Sequence, residues 1–584
     1  MRLRGKGAAP EREGNGQPSP SASAAPFPRA VLAAILLGAA YLRFSGLAWG
    51  LPNAHHWFSY HPDEALILLA AAKVNVFAGQ LDPGFFNYGS LYIYLISAVT
   101  HVLDAWAPLS QPWQELARMT LVGRALAASF GVGTVYATYL IANRLAGRRA
   151  GFIAAIIMAV LPMHVVHSHF ATVDVPATFW VSAALYNALR WPAGRRAALW
   201  CGIFAGLAAG TKYNAGLVLL ASWAAAAMAR EVPKSARWQA AGLITAACAA
   251  AFLLSTPGVA INTPQFLHDF GYEAQHVRTG HGLVFVNTGP GWLYHLRVNL
   301  WQGIGPFLPI AALIALRHIR RPVRLHPATI TLLAFGLPYF ALIAAAAVRF
   351  QRYDMPLLPL LAAGAAVLMD RERGRWMHVS TAAIIATMVL ATGLKNTMAA
   401  PAGDLQMTGQ PYRGDPRDAV AEWFRQTVPP GRTVGLASAP WFYTPPFTTA
   451  NAGPQSRGAF GHEATPPAYP LLLPDAEGET AWSQWPDLIV ISDYEYGDAM
   501  RLQGAPVVER AAQIDRVKID PSSPEEAQRI VRLWNNVVAR YELVGLWSPR
   551  MPAMGLSWPK KALPPHDAFY PYPTLIVFRR SDKK

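Results

Sequence analysis

Apolar runs of about 18 residues or more, long enough to cross a hydrocarbon core, recur through the first two thirds of this chain and restrict its fold more than any other feature. The candidate spans are 29–50, 120–142, 151–168, 175–190, 197–212, 214–229, 238–256, 297–316, 327–348, 354–369 and 376–394. Charge is correspondingly scarce: 14% of the residues are charged, against roughly 25% in an ordinary soluble domain. The first run follows 26 residues rich in Gly, Pro, Ser, Ala and Arg. It begins near Val31 and continues through Leu51, too long for a secretory signal core, so it reads as a first transmembrane helix behind a disordered tail, 1–26.

Charge orients the spans. Basic clusters stand at Arg144/Arg148/Arg149, Arg190/Arg195/Arg196, Arg230/Lys234/Arg237, Arg317/Arg320/Arg321/Arg324 and Arg371/Arg373/Arg375, in every second connection. A twelfth apolar stretch, 88–108, is undecided by hydropathy. If it does not cross, all five clusters and the basic N-terminus share the cytoplasmic side. It therefore reads as a juxtamembrane or re-entrant element, giving 11 spans in an inner-membrane protein with its C-terminus outside the cytoplasm. The net charge of +16 belongs to these loop clusters and not to a phosphate-binding face, which excludes nucleic acid as a partner. Cys201 and Cys248 both lie within apolar runs and offer neither a disulfide framework nor a cysteine metal site.

The remaining residues, 395–584, change character. Asp415–Gln426 and Glu525–Arg540 read as helices, and Thr433–Ser438, Asp487–Ser492 and Thr574–Arg579 as strands. Alternating strands and helices predict a small extracytoplasmic α/β domain, without a phosphate-binding glycine loop, in an accessory or acceptor-binding role. The fold class is thus a polytopic α-helical membrane protein, 27–394, with a C-terminal α/β domain.

The unusual polar residues collect in the outer connections. His61-Pro62-Asp63-Glu64 opens a helix, with both acids in its first turn, where a carboxylate suits the helix dipole. Two acids beside a bilayer in a charge-poor chain also point to chemistry. Asp174 stands just before Pro176 at the start of another span. His164, His167 and His169 are near it, but their spacing matches no recognised metal-ligand set, so no cofactor is expected and a divalent metal is the lesser alternative. Three cations, Lys212, Arg349 and Arg352, sit at outer mouths against the positive-inside trend. Snorkelling explains any one of them; a phosphate at the outer leaflet explains all three. A sugar carried on a polyprenyl phosphate needs cations for the departing phosphate and a base for the acceptor hydroxyl, and no nucleotide site. Asp63, Glu64 and Asp174 are the candidate catalytic acids; His61, Tyr88, His169 and Tyr353 are candidate substrate contacts.

HPDEA in the first outer loop resembles the acidic pair of the GT-C glycosyltransferases, and FNYGSLYIYL, HSHFATVDVPATF, GTKYNAG and RFQRYDMPLLP resemble further blocks in the same order. Over about residues 30–395 the nearest likeness is to the bacterial protein O-mannosyltransferase-like group, which includes lipid A aminoarabinose transferases. The resemblance implies inverting transfer from a polyprenyl-phosphate-linked sugar to an extracytoplasmic acceptor. It implies Asp63 as general base, Glu64 as its acidic neighbour, Asp174 as the second-loop acid, and Arg352, Arg349 and Lys212 on the carrier phosphate. The lipid A enzymes carry a Lys-Pro-Pro-Leu stretch where this chain reads Asn87-Tyr88-Gly89-Ser90-Leu91, which argues against their specificity. The rivals are a lipid-linked sugar flippase or transporter, for which no internal repeat speaks, and an O-antigen ligase or polymerase. The latter would use Glu273, His276, Arg278, His281 and His295 of the loop 257–296.

Overall fold

The computed structural model describes residues 27–191, 194–305, 326–370, 381–383, 386–387, 402–405, 410–448, 469–472, 485–502, 523–549, 566–568, 570–571 and 573–581. The expected tail 1–26, the end of the 297–316 span, most of 376–394 and the last two basic clusters lie outside these residues.

The N-terminal part is helical. Its elements are α1 (Phe27–Phe44), α2 (Pro62–Ala72), α3 (Leu91–Trp106), α4 (Pro112–Ala146), α5 (Arg148–Val160), α6 (Pro162–His167), α7 (Asp174–Arg190), α8 (Arg195–Thr211), α9 (Leu219–Met228) and α10 (Lys234–Ser255), followed by the helices Thr263–Thr279, Pro327–Ala345 and Leu358–Asp370. Among the described residues, four helices are long and apolar enough to cross a membrane by themselves: Pro112–Ala146, Lys234–Ser255, Pro327–Ala345 and Gln351–Asp370. Several other apolar runs are divided. The run 151–168 breaks at Leu161, whose extended backbone precedes Pro162, because proline disfavours the helical conformation in the residue before it. Arg43, fully buried in α1, caps the break: it donates to the carbonyls of Ala159 at 2.9 Å and Met158 at 3.0 Å, and to His164 Nδ1 at 2.9 Å. Within stretch 88–108 the helix α3 covers Leu91–Trp106, 16 residues.

Small residues let helices approach closely where lipid supplies no hydrophobic drive. On α8, Gly202 and Gly206 lie against the backbone of α10, where a Cβ would run into the carbonyl oxygens of Ile244 and Cys248. Gly210, one turn further, lies against Ser255, and its carbonyl in turn leaves room only for a glycine at position 89. The stripe thereby seats the segment Asn87–Ser90 on the end of α8.

The C-terminal residues form a seven-stranded mixed sheet of order β2-β1-β6-β7-β5-β3-β4. Its strands are β1 (Ala402–Leu405), β2 (Gln410–Arg413), β3 (Val434–Leu436), β4 (Leu471–Leu472), β5 (Leu488–Ser492), β6 (Tyr541–Pro549) and β7 (Leu575–Arg580). β3 runs parallel to β4 and β5, and every other pairing is antiparallel. Alternation along β5 separates two cores. Leu488 and Val490 pack with Val420 and Phe424 of the helix Pro416–Thr427, while Ile489 and Ile491 pack with Leu533 and Val537 of the helix Ser523–Arg540. The expected helices and strands are all present within one or two residues; β1, β2, β4 and β6 are additional.

This sheet unit is latched to the membrane part through the start of the helix Pro416–Thr427. Asp415 caps that helix through Arg417 N at 2.9 Å and accepts Trp49 Nε1 at 3.2 Å, and Asp418 accepts Tyr60 Oη at 2.5 Å. Arg417, fully buried, is forked on Asp415 at 2.6 Å, lies 3.9 Å from the Tyr60 ring centre and donates to the Tyr570 carbonyl at 3.2 Å.

Where β5 ends, Glu495 accepts Ser438 Oγ at 2.6 Å and Ser492 N at 2.9 Å. Burial pushes its carboxyl up from 4.5 to about 7, and Asp493, also buried, rises to about 6. A carboxyl that holds its proton more tightly when folded stabilises the fold in its protonated form, so this contribution is full below the unfolded value and is lost as pH rises through the folded one. Thermal unfolding in detergent should therefore find Glu495→Gln equal to the native chain at pH 4.5 and more stable at pH 8.

Candidate active site

The first turn of α2 presents its two acids in different directions, as neighbours about 100° apart on a helix must. Glu64 turns inward and is fully buried. Arg124 of α4 forks onto it, Nε to Oε1 and Nη2 to Oε2, both at 2.8 Å; Ala171 N donates to Oε1 at 2.7 Å, and Ser59 Oγ to Oε2. Arg124 donates from Nη1 to the carbonyls of Leu47, at 2.8 Å, and Trp49, and from Nη2 also to Ser59 Oγ at 3.2 Å, and its guanidinium lies 5.1 Å from the Trp49 ring centre. The sequence expectation placed Glu64 with Asp63 in the chemistry; here its oxygens are committed to the scaffold. Arg124 was missed, although a charged residue inside an apolar run is itself a signal.

Asp63 turns the other way, its side chain 19% exposed, and meets Arg352 Nη2 at 3.0 Å. Arg352 comes from a 3₁₀ turn, Gln351–Leu357, with its guanidinium 4.0 Å from the Phe350 ring centre. A second pair stands beside it: Asp174, in the first turn of α7, accepts Lys212 Nζ at 2.6 Å, and the same ammonium lies 4.6 Å from the Tyr353 ring centre. Both ion pairs and the two candidate aromatics belong to one electrostatic cluster, since the Tyr88 and Tyr353 hydroxyls feel both Asp63 and Arg352. Burial raises the Tyr88 hydroxyl well above its ordinary value, so it remains a neutral donor.

Other expected residues are placed elsewhere. Arg349 braces the outer loop, donating to Thr288 Oγ1 and the Gly289 carbonyl, both at 2.6 Å. His169 ties α6 to the end of α1, its ring nitrogens 2.8 Å from the Val165 carbonyl and 3.0 Å from that of Ser45. His61 does line the cluster. Its ring packs on Phe170 at 4.4 Å and on Tyr570 at 4.8 Å, neither nitrogen has a hydrogen-bond partner among the described residues, and burial lowers its pKa to about 3, so it is neutral. Among the described residues no three His, Cys, Asp or Glu side chains are arranged to hold a metal ion.

The loop 257–296 holds the segment before α3. On the helix Thr263–Thr279, Asp269 accepts Phe86 N at 2.8 Å and Glu273 accepts Asn87 Nδ2 at 2.6 Å. His295 is buried against Asp354 at 2.8 Å, behind the turn that carries Arg352. From the far end of the chain, Asp567 reaches the same turn, with Oδ2 3.6 Å from Arg352 Nη1. No residue pattern in the proline-rich stretch around it signalled this.

Residues 84–267 match the family model of the dolichyl-phosphate-mannose-protein mannosyltransferases, in keeping with the resemblance read from the sequence. Among solved structures, the chain is similar to ArnT from Cupriavidus metallidurans bound to undecaprenyl phosphate, at 16% identity, TM-score 0.46, over 82% of this chain and 95% of that one. It is similar to the oligosaccharyltransferase AglB from Archaeoglobus fulgidus, in complex with an inhibitory peptide and a dolichol-phosphate, at 14% identity, TM-score 0.47, over 86% of this chain and 72% of that one. The S. cerevisiae protein O-mannosyltransferase Pmt1-Pmt2 complex bound to its sugar donor is similar over 41% of this chain and 34% of that one, at 17% identity and TM-score 0.32. No curated protein sequence matches the chain.

Removing one partner of a buried ion pair strands the other charge and costs about 3–5 kcal/mol. Arg124→Ala should therefore lower the thermal midpoint in detergent by far more than the double substitution Arg124→Ala/Glu64→Gln, which leaves no stranded carboxylate.

Proposed function

We propose that the protein is an inverting glycosyltransferase that moves a sugar from a polyprenyl-phosphate carrier onto a hydroxyl of an extracytoplasmic glycan, lipid or protein. The observation that carries this reading is the contact of a partly exposed carboxylate, Asp63, with a buried guanidinium, Arg352, beside the Asp174–Lys212 pair. The family match over residues 84–267 supports the same activity.

In the proposed reaction Asp63 takes the proton of the acceptor hydroxyl as that oxygen attacks the anomeric carbon. The bond from that carbon to the phosphate oxygen breaks, and polyprenyl phosphate leaves with the electron pair, its charge held by Arg352 and Lys212. Each cation is paired with an acid before the donor arrives. A phosphate that engages Arg352 weakens its hold on Asp63, so donor binding would free the base.

Asp174 orients Lys212; His61, Tyr88 and Tyr353 line the sugar and phosphate positions. Glu64 fixes the helix that carries Asp63, and Arg349 secures the loop above. Of the five residues an O-antigen ligase reading would use, His295 and Glu273 are engaged with Asp354 and Asn87, which favours the polyprenyl-phosphate reading.

We further infer eleven crossings of the inner membrane. The alternating basic clusters set the N-terminus in the cytoplasm and residues 395–584 outside.

Turnover of a panel of polyprenyl-phosphate monosaccharides by the purified chain tests this. Native protein should release or transfer sugar, and Asp63→Asn, which keeps the shape and removes the base, should lower kcat by at least 100-fold with donor binding retained. Equal turnover by the variant would refute the role of Asp63, and donor binding without turnover in either protein would indicate a flippase.

A further inference from the structure

Asp567 is a fully buried carboxylate whose described partners all lie in the membrane part of the chain. Its Oδ1 accepts the backbone N–H of Gln351 at 2.9 Å, and its Oδ2 that of Arg352 at 3.0 Å. The same Oδ2 is 3.6 Å from Arg352 Nη1 and 3.8 Å from His167 Nε2. Burying a carboxylate is expensive unless it is paired and hydrogen-bonded, and among the described residues nothing in the sheet unit needs this one.

The segment that carries it is anchored on both sides. The His566 carbonyl accepts Tyr494 Oη at 3.3 Å, the Tyr570 carbonyl accepts Arg417 Nη2 at 3.2 Å, and β7 begins at Leu575. Arg417 also approaches the Tyr60 carbonyl at 3.5 Å, directly before the helix that bears Asp63. The Tyr570 ring closes the contact against His61. One short piece of the C-terminal unit thus reaches both the turn that presents Arg352 and the entry to α2.

We propose that Asp567 is a positioning residue for Arg352, so that the donor-phosphate site is assembled from both parts of the chain. The proposal rests on the transferase reading above and names a residue that reading does not need. Asp567 fixes the first peptide groups of the turn and lies nearest Nη1 of the guanidinium, whereas Asp63 meets Nη2. Without it, the turn loses its cap, and Arg352 keeps Asp63, the Tyr570 hydroxyl and the Phe350 ring but not the carboxylate that holds its own backbone.

The sign of the effect separates positioning from a nearby charge. Removing a carboxylate close to a phosphate site would by itself strengthen phosphate binding, whereas loss of positioning weakens it. The probe is undecaprenyl phosphate, titrated against the purified full-length chain in detergent. Asp567→Asn should raise its Kd at least five-fold with Arg352 present and less than two-fold in an Arg352→Lys background, because coupled residues are not additive. Asp567→Glu keeps the charge but is too long to hold both backbone N–H groups, and should also raise Kd; it serves if the first variant does not fold. Unchanged or tighter binding in the folded variant, or equal effects in both backgrounds, would overturn the proposal. A native chain that does not bind undecaprenyl phosphate would overturn the donor reading as well, whereas native binding that Asp567 does not influence would overturn this inference alone.

Discussion

The fork of Arg124 on Glu64 is the contact on which the site depends. Both side chains are fully buried, so each charge tolerates its surroundings only because the other is present. Glu64 also holds the backbone of Ala171, at the approach to α7, while Arg124 holds the carbonyls of Leu47 and Trp49 behind α1. One ion pair therefore joins α4, the entry to α7, the end of α1 and the first turn of α2. With Glu64 turned inward, Asp63 before it points away, where it meets Arg352. Two adjacent acids that look alike in the sequence thus have opposite surroundings, one buried on Arg124 and the other partly exposed on Arg352.

The second half of the site depends on the C-terminal unit to a degree its sequence did not predict. That unit reads as an accessory layer in the sequence, and its sheet has two apolar cores on the faces of β5. Yet its buried charged groups, Arg417, Asp415 and Asp567, find partners across the boundary with the membrane part. Trp49 lies between the two systems, 5.1 Å from the Arg124 guanidinium and 5.8 Å from that of Arg417. The two parts are thereby joined by charge and aromatic contact just behind Asp63.

What was legible in the sequence follows from the kind of signal each feature leaves. Apolar runs and the positions of Asp63, Asp174, Lys212 and Arg352 at their ends were readable, because charges stand out in a charge-poor stretch. The 151–168 run reads as one span in the sequence, but Pro162 divides it, and the close seating of Gly89 on Gly210 emerges only from their contacts. The opposite fates of Asp63 and Glu64 could not be read, since they depend on an arginine 60 residues away. Arg349 and His169 shared the composition of site residues but spend their polar atoms on loop and helix carbonyls. Asp567 lies in a stretch without periodicity, and only the path of the chain brings it to Arg352.

The central claim is a direct displacement at the anomeric carbon, with Asp63 as base and polyprenyl phosphate as leaving group. Its most direct test is the stereochemistry of one turnover. A polyprenyl-phosphate sugar of defined anomeric configuration is given to the native protein with its acceptor, and the linkage first formed is assigned by NMR. Inversion at the anomeric carbon is the predicted result; retention would require a covalent glycosyl-enzyme or a second displacement and would contradict the account.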